Sequence, residues 1–276
     1  RLTWGNHESS AAASAARLSV GPDDRWMAVL PLFHLGGFAV SYRSFRAGGT
    51  VVLEPGFDAK RVAVRLEELS YISVVPTMLH RLLAEKPAAG PSKATLVGGA
   101  PAPTDLVAAA DAAGLRVART YGLTEAASQV ATALPGEGPG ALPLEGVAVT
   151  AGAGPDDPAR IKVAGPMVSP GYWNAPDHTG PFPTGDIGYV DDAGRLHVIG
   201  PARGVIISGG ENVYPVEVER ALSGFPGVVA VAVFGVADEE WGERVEAVLV
   251  PARLEGDLAD ILRYARNALA PYQVPK

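Results

Sequence analysis

A chain of 276 residues with 47% hydrophobic and 19% charged side chains has material for a real core, and roughly 150 residues per domain implies about two domains. A net charge of −7 without a lysine- or arginine-rich block argues against a nucleic-acid partner. The absence of cysteine removes thiol nucleophiles, cysteine-ligated zinc and disulfides together, in keeping with a cytoplasmic protein. No apolar run reaches the length of a bilayer span, and no charged-then-apolar leader is present. The chain opens RLTWGNHESS without a methionine and stops at PYQVPK, so both ends are expected to be incomplete.

In chain order, Asn6 is a good N-cap for an Ala-rich helix over His7 to Arg17. WMAVL (26–30) and TVVL (50–53) read as buried strands. Asp58 caps a helix through Leu69, YISVV (71–75) is a strand, and Pro76-Thr77 opens the helix MLHRLLAE. ATLVG (94–98) is a strand, Thr104 caps DLVAAADAA, and LRVAR (115–119) is a strand followed by the helix-prone Ala-Ala-Ser. Strand and helix alternate over short connections, which predicts an α/β domain with a mainly parallel sheet. Residues 135 to 184 are dense in glycine and proline with short apolar runs, as for a small antiparallel, barrel-like region. YVDDAGRLHVIG (189–200) reads as a hairpin. Beyond Gly200 come a helix near Pro215, the β-forming runs VVAVAVFGV and RVEAVLV, and a helix near 257 to 268, a small C-terminal α+β domain. The expected domains are 1–200 and 201–276.

Dinucleotide-binding, P-loop, nucleophile-elbow and zincin motifs are absent. What remains are loops at the C-terminal ends of the predicted parallel strands, where open α/β sheets bind ligands. Gly98-Gly99-Ala100-Pro101 and Tyr121-Gly122-Leu123-Thr124-Glu125 follow consecutive strands and should be neighbours. A purine fits between glycine backbone, where no Cβ intrudes, and the Tyr121 ring. The plainer readings are an ordinary turn and a core aromatic. Thr124 and Glu125 supply hard oxygens that suit Mg²⁺ held together with substrate phosphates. The plainer reading of Glu125 is an acid in a helix's first turn. Asp186, after Pro183-Thr184-Gly185, is placed to accept from a ribose diol, or is a turn residue. The glycines of VIISGGENVYP (205–215) leave room for a narrow ligand, or make a tight turn.

YGLTEAASQ, PTGDIGYVDDAGRLHVIG and VIISGGENVYPVEVE, in that order, resemble the hallmark stretches of the adenylate-forming family of acyl-CoA synthetases, luciferases and adenylation domains. PLFHLGG (31–37), VVPTMLHRLL, LVGGAP and YGLTEAASQ are most similar to its o-succinylbenzoyl-CoA synthetase branch of menaquinone biosynthesis. The resemblance implies a carboxylic acid, ATP and CoA as co-substrates and Mg²⁺ as the cation. A carboxylate attacks the α-phosphate of ATP, and CoA then attacks the acyl-adenylate after the small domain swivels. It implies adenine held by Gly98, Gly99, Ala100, Tyr121 and Gly122, and phosphate and Mg²⁺ served by Thr124 and Glu125. It further implies ribose on Asp186, the acyl carboxylate near His34 and Gly37, and a pantetheine channel lined by Gly209 and Gly210. A second substrate carboxylate would need a donor. Arg43 is the candidate, because arginine binds carboxylate in a fork; otherwise it is a solvated helix residue.

The family's phosphate loop normally precedes the LTWGNH-like segment, and its catalytic lysine follows Lys276; both fall outside residues 1–276. At the hinge, Pro201 stands where the family has arginine and Arg203 where it has an acid, so Arg203 takes over either role or neither. The expected activity is that of an o-succinylbenzoate–CoA ligase. The alternatives are a ligase for another aryl or fatty acid, or a non-catalytic adenylate-binding fragment. A homodimer is a further expectation.

Overall fold

The computed structural model describes the whole chain except residues 89, 91, 203, 209, 210, 239, 240 and 253–256 and the side chain of Asn212. Arg203, Gly209 and Gly210, three of the expected site residues, therefore lie outside the described residues.

The first helix, α1 (Trp4–Leu18), begins earlier than expected. Thr3, not Asn6, is the N-cap: its hydroxyl accepts from Asn6 N at 3.2 Å, and Asn6 Oδ1 accepts from Thr3 N at 2.8 Å. Both residue types cap helices, and the reciprocal pair satisfies two orphan donors at once. The spare amide nitrogen of Asn6 then reaches the carbonyls of Pro166 and Val168 at 2.8 and 2.9 Å. Further along α1, Ser10 donates to the Ala127 carbonyl at 2.7 Å, and the Ser14 hydroxyl bonds the Gln129 side chain.

Next come β1 (Arg25–Ala28), α2 (Leu35–Ala47), β2 (Thr50–Leu53), α3 (Ala59–Arg65), β3 (Tyr71–Val74) and α4 (Pro76–Ala84). They are followed by β4 (Ala94–Val97), α5 (Thr104–Ala112), β5 (Val117–Leu123), β6 (Ser128–Ala133) and β7 (Leu142–Pro143). These strands form one seven-stranded sheet in the order β2-β1-β3-β4-β5-β6-β7. Pairing is parallel from β2 to β5 and antiparallel from β5 to β7.

Strand alternation divides the core. Met27, Ile72, Val97 and Val117 pack with Val62, Leu79, Leu82 and Ala110 of α3, α4 and α5. Their neighbours Trp26, Tyr71, Leu96 and Ala118 pack with Leu18 of α1 and Val40 of α2. A sheet covered on both faces needs apolar residues at every position, which is why these strands read as continuous apolar runs. Full burial of each such side chain contributes about 1.5–3 kcal/mol.

The strands β8 (Ala148–Thr150), β9 (Ala159–Ala164), β10 (Phe182–Val190) and β11 (Leu196–Pro201) form a second sheet, β11-β10-β9-β8. Its core is Ile161, Val163, Phe182 and Leu196. The hairpin forms as expected, closed by Gly194 N donating to Asp191 O at 2.8 Å, with Gly194 at φ 74°. Pro183 to Asp186, expected as a turn, lie on β10.

The chain divides into two compact units, residues 1–184 with 188–198, and residues 185–187 with 199–276. The second unit contains β12 (Ile206–Ser208), β13 (Glu211–Val213), α6 (Pro215–Ser223), β14 (Val228–Asp238), β15 (Gly242–Pro251) and α7 (Leu258–Ala268). The sheet β13-β12-β15-β14 packs Val233 and Val245 against Val218 and Leu222 of α6 and Ile261 and Ala265 of α7. Asp257 caps α7 in a capping box with Asp260. Among the described residues no helix is long and apolar enough to cross a membrane.

Candidate nucleotide and acid site

The seven-stranded sheet changes direction between β1 and β3: the chain moves outward from β1 to β2, then returns to the other side of β1. The connections leaving the carboxyl ends of β1 and β3 diverge there, which opens a crevice beyond the strand ends. A cleft of about 620 Å³ lies at this point. Leu30 and Pro31 line it after β1, Val75 and Met78 after β3, Gly98 and Gly99 after β4, and Gly122 to Thr124 at the end of β5. His34, Gly36 and Gly37 bring the N-terminus of α2 to the same cleft, with the positive end of its dipole.

Of the expected site residues, the cleft brings together His34, Gly37, Arg43, Gly98, Gly99, Gly122 and Thr124. Ala100, Tyr121, Glu125 and Asp186 are outside its lining. Tyr121 is half-buried against the Val163 cluster of the second sheet, in line with the core-aromatic reading. His34 is exposed at the N-cap of α2, makes no capping bond with its ring, and lies 4.6 Å from the Phe33 ring between centroids. Asp186 sits on β10 in the second unit, beside Gly185, whose carbonyl accepts from Ala202 N at 2.7 Å.

Two glycines are fixed by protein neighbours. A Cβ on Gly98 would stand 2.2 Å from Thr120 Oγ1, and one on Gly122 would stand 1.9 Å from the Ser128 carbonyl oxygen. Close approach of β5 to its neighbours demands glycine at both positions, whatever else rests on that backbone.

Arg43 departs most from its plainer reading. It is 3% exposed, not solvated, and it borders the cleft from within α2. Its Nε and Nη2 are buried with no hydrogen-bond partner. Its guanidinium carbon lies 6.0 Å from the centroid of Trp26, whose indole N–H donates to Ser73 Oγ at 3.2 Å. Burial pulls its pKa down to about 10, which still leaves it charged near neutral pH. An unpaired buried cation is costly, and a bound anion would offset that cost.

Glu125 occupies the three-residue 3-10 turn Thr124–Ala126 between two antiparallel strands, not the first turn of an α-helix. Helix-prone Ala126-Ala127-Ser128 becomes the tail of this turn and the start of β6 because Ala126 and Ala127 are wanted as small core side chains. Ala127 and Ser128 take φ values of 49° and 106°, which turn the chain back on itself. Tyr172 donates its hydroxyl to Glu125 Oε1 at 2.7 Å, and that bond holds the phenol pKa above its usual value. Glu125 Oε2 makes no hydrogen bond among the described residues.

The donor set fits Mg²⁺: one hydroxyl and one carboxylate adjoin in sequence, and the described residues contain no cluster of three acids or histidines that would cage a metal alone. Tyr172, Ser128 and Gln129 were not singled out from sequence. For Gln129 the sole signal is its place in the YGLTEAASQ stretch, and for Tyr172 an aromatic pair following the Pro170-Gly171 turn.

The AMP-binding enzyme family matches residues 2–173, and its C-terminal domain matches residues 217–276. The chain belongs to the AMP-binding enzyme family. Among curated members, a 2-succinylbenzoate–CoA ligase of Geobacillus kaustophilus is 39% identical over 99% of this chain and 60% of its own length. The o-succinylbenzoate CoA synthetase of Bacillus subtilis, solved in complex with the acyl-adenylate intermediate OSB-AMP, is 35% identical with a TM-score of 0.90, over 100% of this chain and 60% of that one. The same enzyme in complex with ATP and a magnesium ion is 34% identical with a TM-score of 0.89, over 99% of this chain and 61% of that one. This AMP-binding chain thus spans about three fifths of the length of the relatives it matches.

Proposed function

We propose that the chain carries the nucleotide and acid sites of an ATP-dependent acid–thiol ligase whose acid is an aromatic dicarboxylate of the o-succinylbenzoate kind. One observation carries the choice of acid: the buried, unpartnered Arg43 at the cleft wall. A fatty acid or simple benzoate would leave that charge uncompensated, whereas a second carboxylate can accept from its fork. The relatives named for 2-succinylbenzoate support the same reading.

In the first half-reaction a carboxylate oxygen of the acid attacks the α-phosphorus of ATP, the bond to the bridging oxygen breaks, and pyrophosphate leaves. Gly98 and Gly99 offer backbone for the adenine, Asp186 accepts from the ribose hydroxyls, and the N-terminus of α2 favours the reacting anion beside His34. Thr124 and Glu125 hold the cation. When bound, Mg²⁺ neutralises charge growing on the phosphate oxygens. In the second half-reaction the CoA sulfur attacks the acyl carbon, AMP departs, and the thiol proton passes to solvent.

The test compares o-succinylbenzoate, benzoate and a fatty acid for affinity by calorimetry and for ATP-dependent pyrophosphate release. The expected preference for o-succinylbenzoate over benzoate is at least about 100-fold, the scale on which a site rejects a ligand that leaves its buried polar group unpaired. Equal handling of the acids would remove the dicarboxylate. Tight binding of ATP and acid without pyrophosphate release would make the chain a binding module. Asp186→Ala should weaken binding of a non-hydrolysable ATP analogue by about 10-fold, the loss of hydrogen bonds to a charged acceptor. Unchanged affinity would take ribose away from Asp186.

A further inference from the structure

The segment from Ser169 to His178 is fastened to Glu125 at two points. Ser169 N donates to the Glu125 carbonyl at 2.6 Å, and the Tyr172 hydroxyl donates to its carboxylate at 2.7 Å. Between them the segment is shaped locally, with Gly171 N donating to Ser169 Oγ at 3.1 Å. Tyr172 is 56% exposed, and its ring lies only distantly against Phe182, 6.3 Å between centroids. Burial does not decide where this phenol sits, whereas a hydrogen bond to a carboxylate, about twice as strong as a neutral one, does. Trp173 next to it is 79% exposed with no such contact.

Glu125 needs this help. A half-buried glutamate on a three-residue turn rotates freely about its side-chain bonds, and a cation bound by few protein oxygens depends on how those oxygens are oriented. We propose that Tyr172 is a positioning residue for the nucleotide-bound cation: its O–H fixes Oε1 of Glu125 and leaves Oε2 as the oxygen available to the metal. The inference rests on the reading of Glu125 given above.

Mn²⁺ serves as the probe, titrated by electron paramagnetic resonance in the presence of ATP and without acid, on the wild-type chain, Tyr172→Phe, Glu125→Gln and Trp173→Ala. Tyr172→Phe removes one oxygen and should weaken Mn²⁺ about 10-fold, the low end for loss of a group that orients a ligand. Glu125→Gln should weaken it more, and Trp173→Ala should leave it unchanged. Wild-type Mn²⁺ affinity in Tyr172→Phe, alongside a weakened Glu125→Gln, would overturn the role of Tyr172 alone. Wild-type affinity in Glu125→Gln would instead overturn the metal reading of Glu125.

Discussion

Glu125→Gln should lower acid-dependent pyrophosphate release by about two to three orders of magnitude while leaving the melting temperature almost unchanged. The substitution keeps the shape of the side chain and can still accept from the Tyr172 hydroxyl, so the turn and its neighbours lose little. It removes the negative charge that holds the cation against the phosphates, and that charge matters most when pyrophosphate begins to leave. The loss should therefore fall on kcat as well as on the apparent affinity for Mg-ATP. Near-normal release, or a loss explained by unfolding, would make Glu125 an ordinary turn acid.

Arg43→Met should do the opposite to fold and function. Burial lowers the folded pKa from the unfolded value to about 10, so below that pH folding holds a charge in a place that disfavours it. For a base with a depressed folded pKa the unfolded chain binds more protons between the two values, so stability rises as pH climbs through that alkaline window. Across neutral pH the full penalty is present. A methionine of similar length lifts it and should raise the unfolding free energy by about 1–3 kcal/mol, read by urea denaturation. The same change should cost at least about 100-fold in affinity for o-succinylbenzoate and little for benzoate. A destabilised variant that keeps its affinity for the diacid would show Arg43 to be a structural cation over the Trp26 ring.

Much of this could be read from the chain alone. WMAVL, YISVV and ATLVG are apolar at nearly every position because β1, β3 and β4 are covered on both faces. Asp58 caps α3 as expected, whereas Thr104, expected as a cap, lies inside α5 after Pro103. The hallmark stretches led to the glycines and Thr124 that meet at the cleft. The Ala126-Ala127-Ser128 run misled because alanine favours helix, yet its small side chains are used here to fill a tight core against β5. For Arg43, named as the carboxylate donor with a solvated residue as the alternative, a signal against solvation was present: it lies three residues after Val40 and four after Ala39, both buried, so it shares their stripe on α2. A charge on a buried stripe is a functional hint, whereas reading it as a solvated residue discards that information. Tyr172 had no periodicity to mark it. Its position is set by a partner 47 residues away, which no local pattern encodes.

The polar face of α1 has a consequence for how the molecule is made. Ser10 and Ser14 find their partners 117 and 115 residues onward, and Asn6 finds its own 160 and 162 onward. On the ribosome these hydroxyls and amides have only water until the strand after Glu125 and the segment around Pro166 emerge. At about 5–20 residues per second that is a wait of many seconds. Gln129, which lines the cleft, can take its final place against Ser14 only once β6 has emerged.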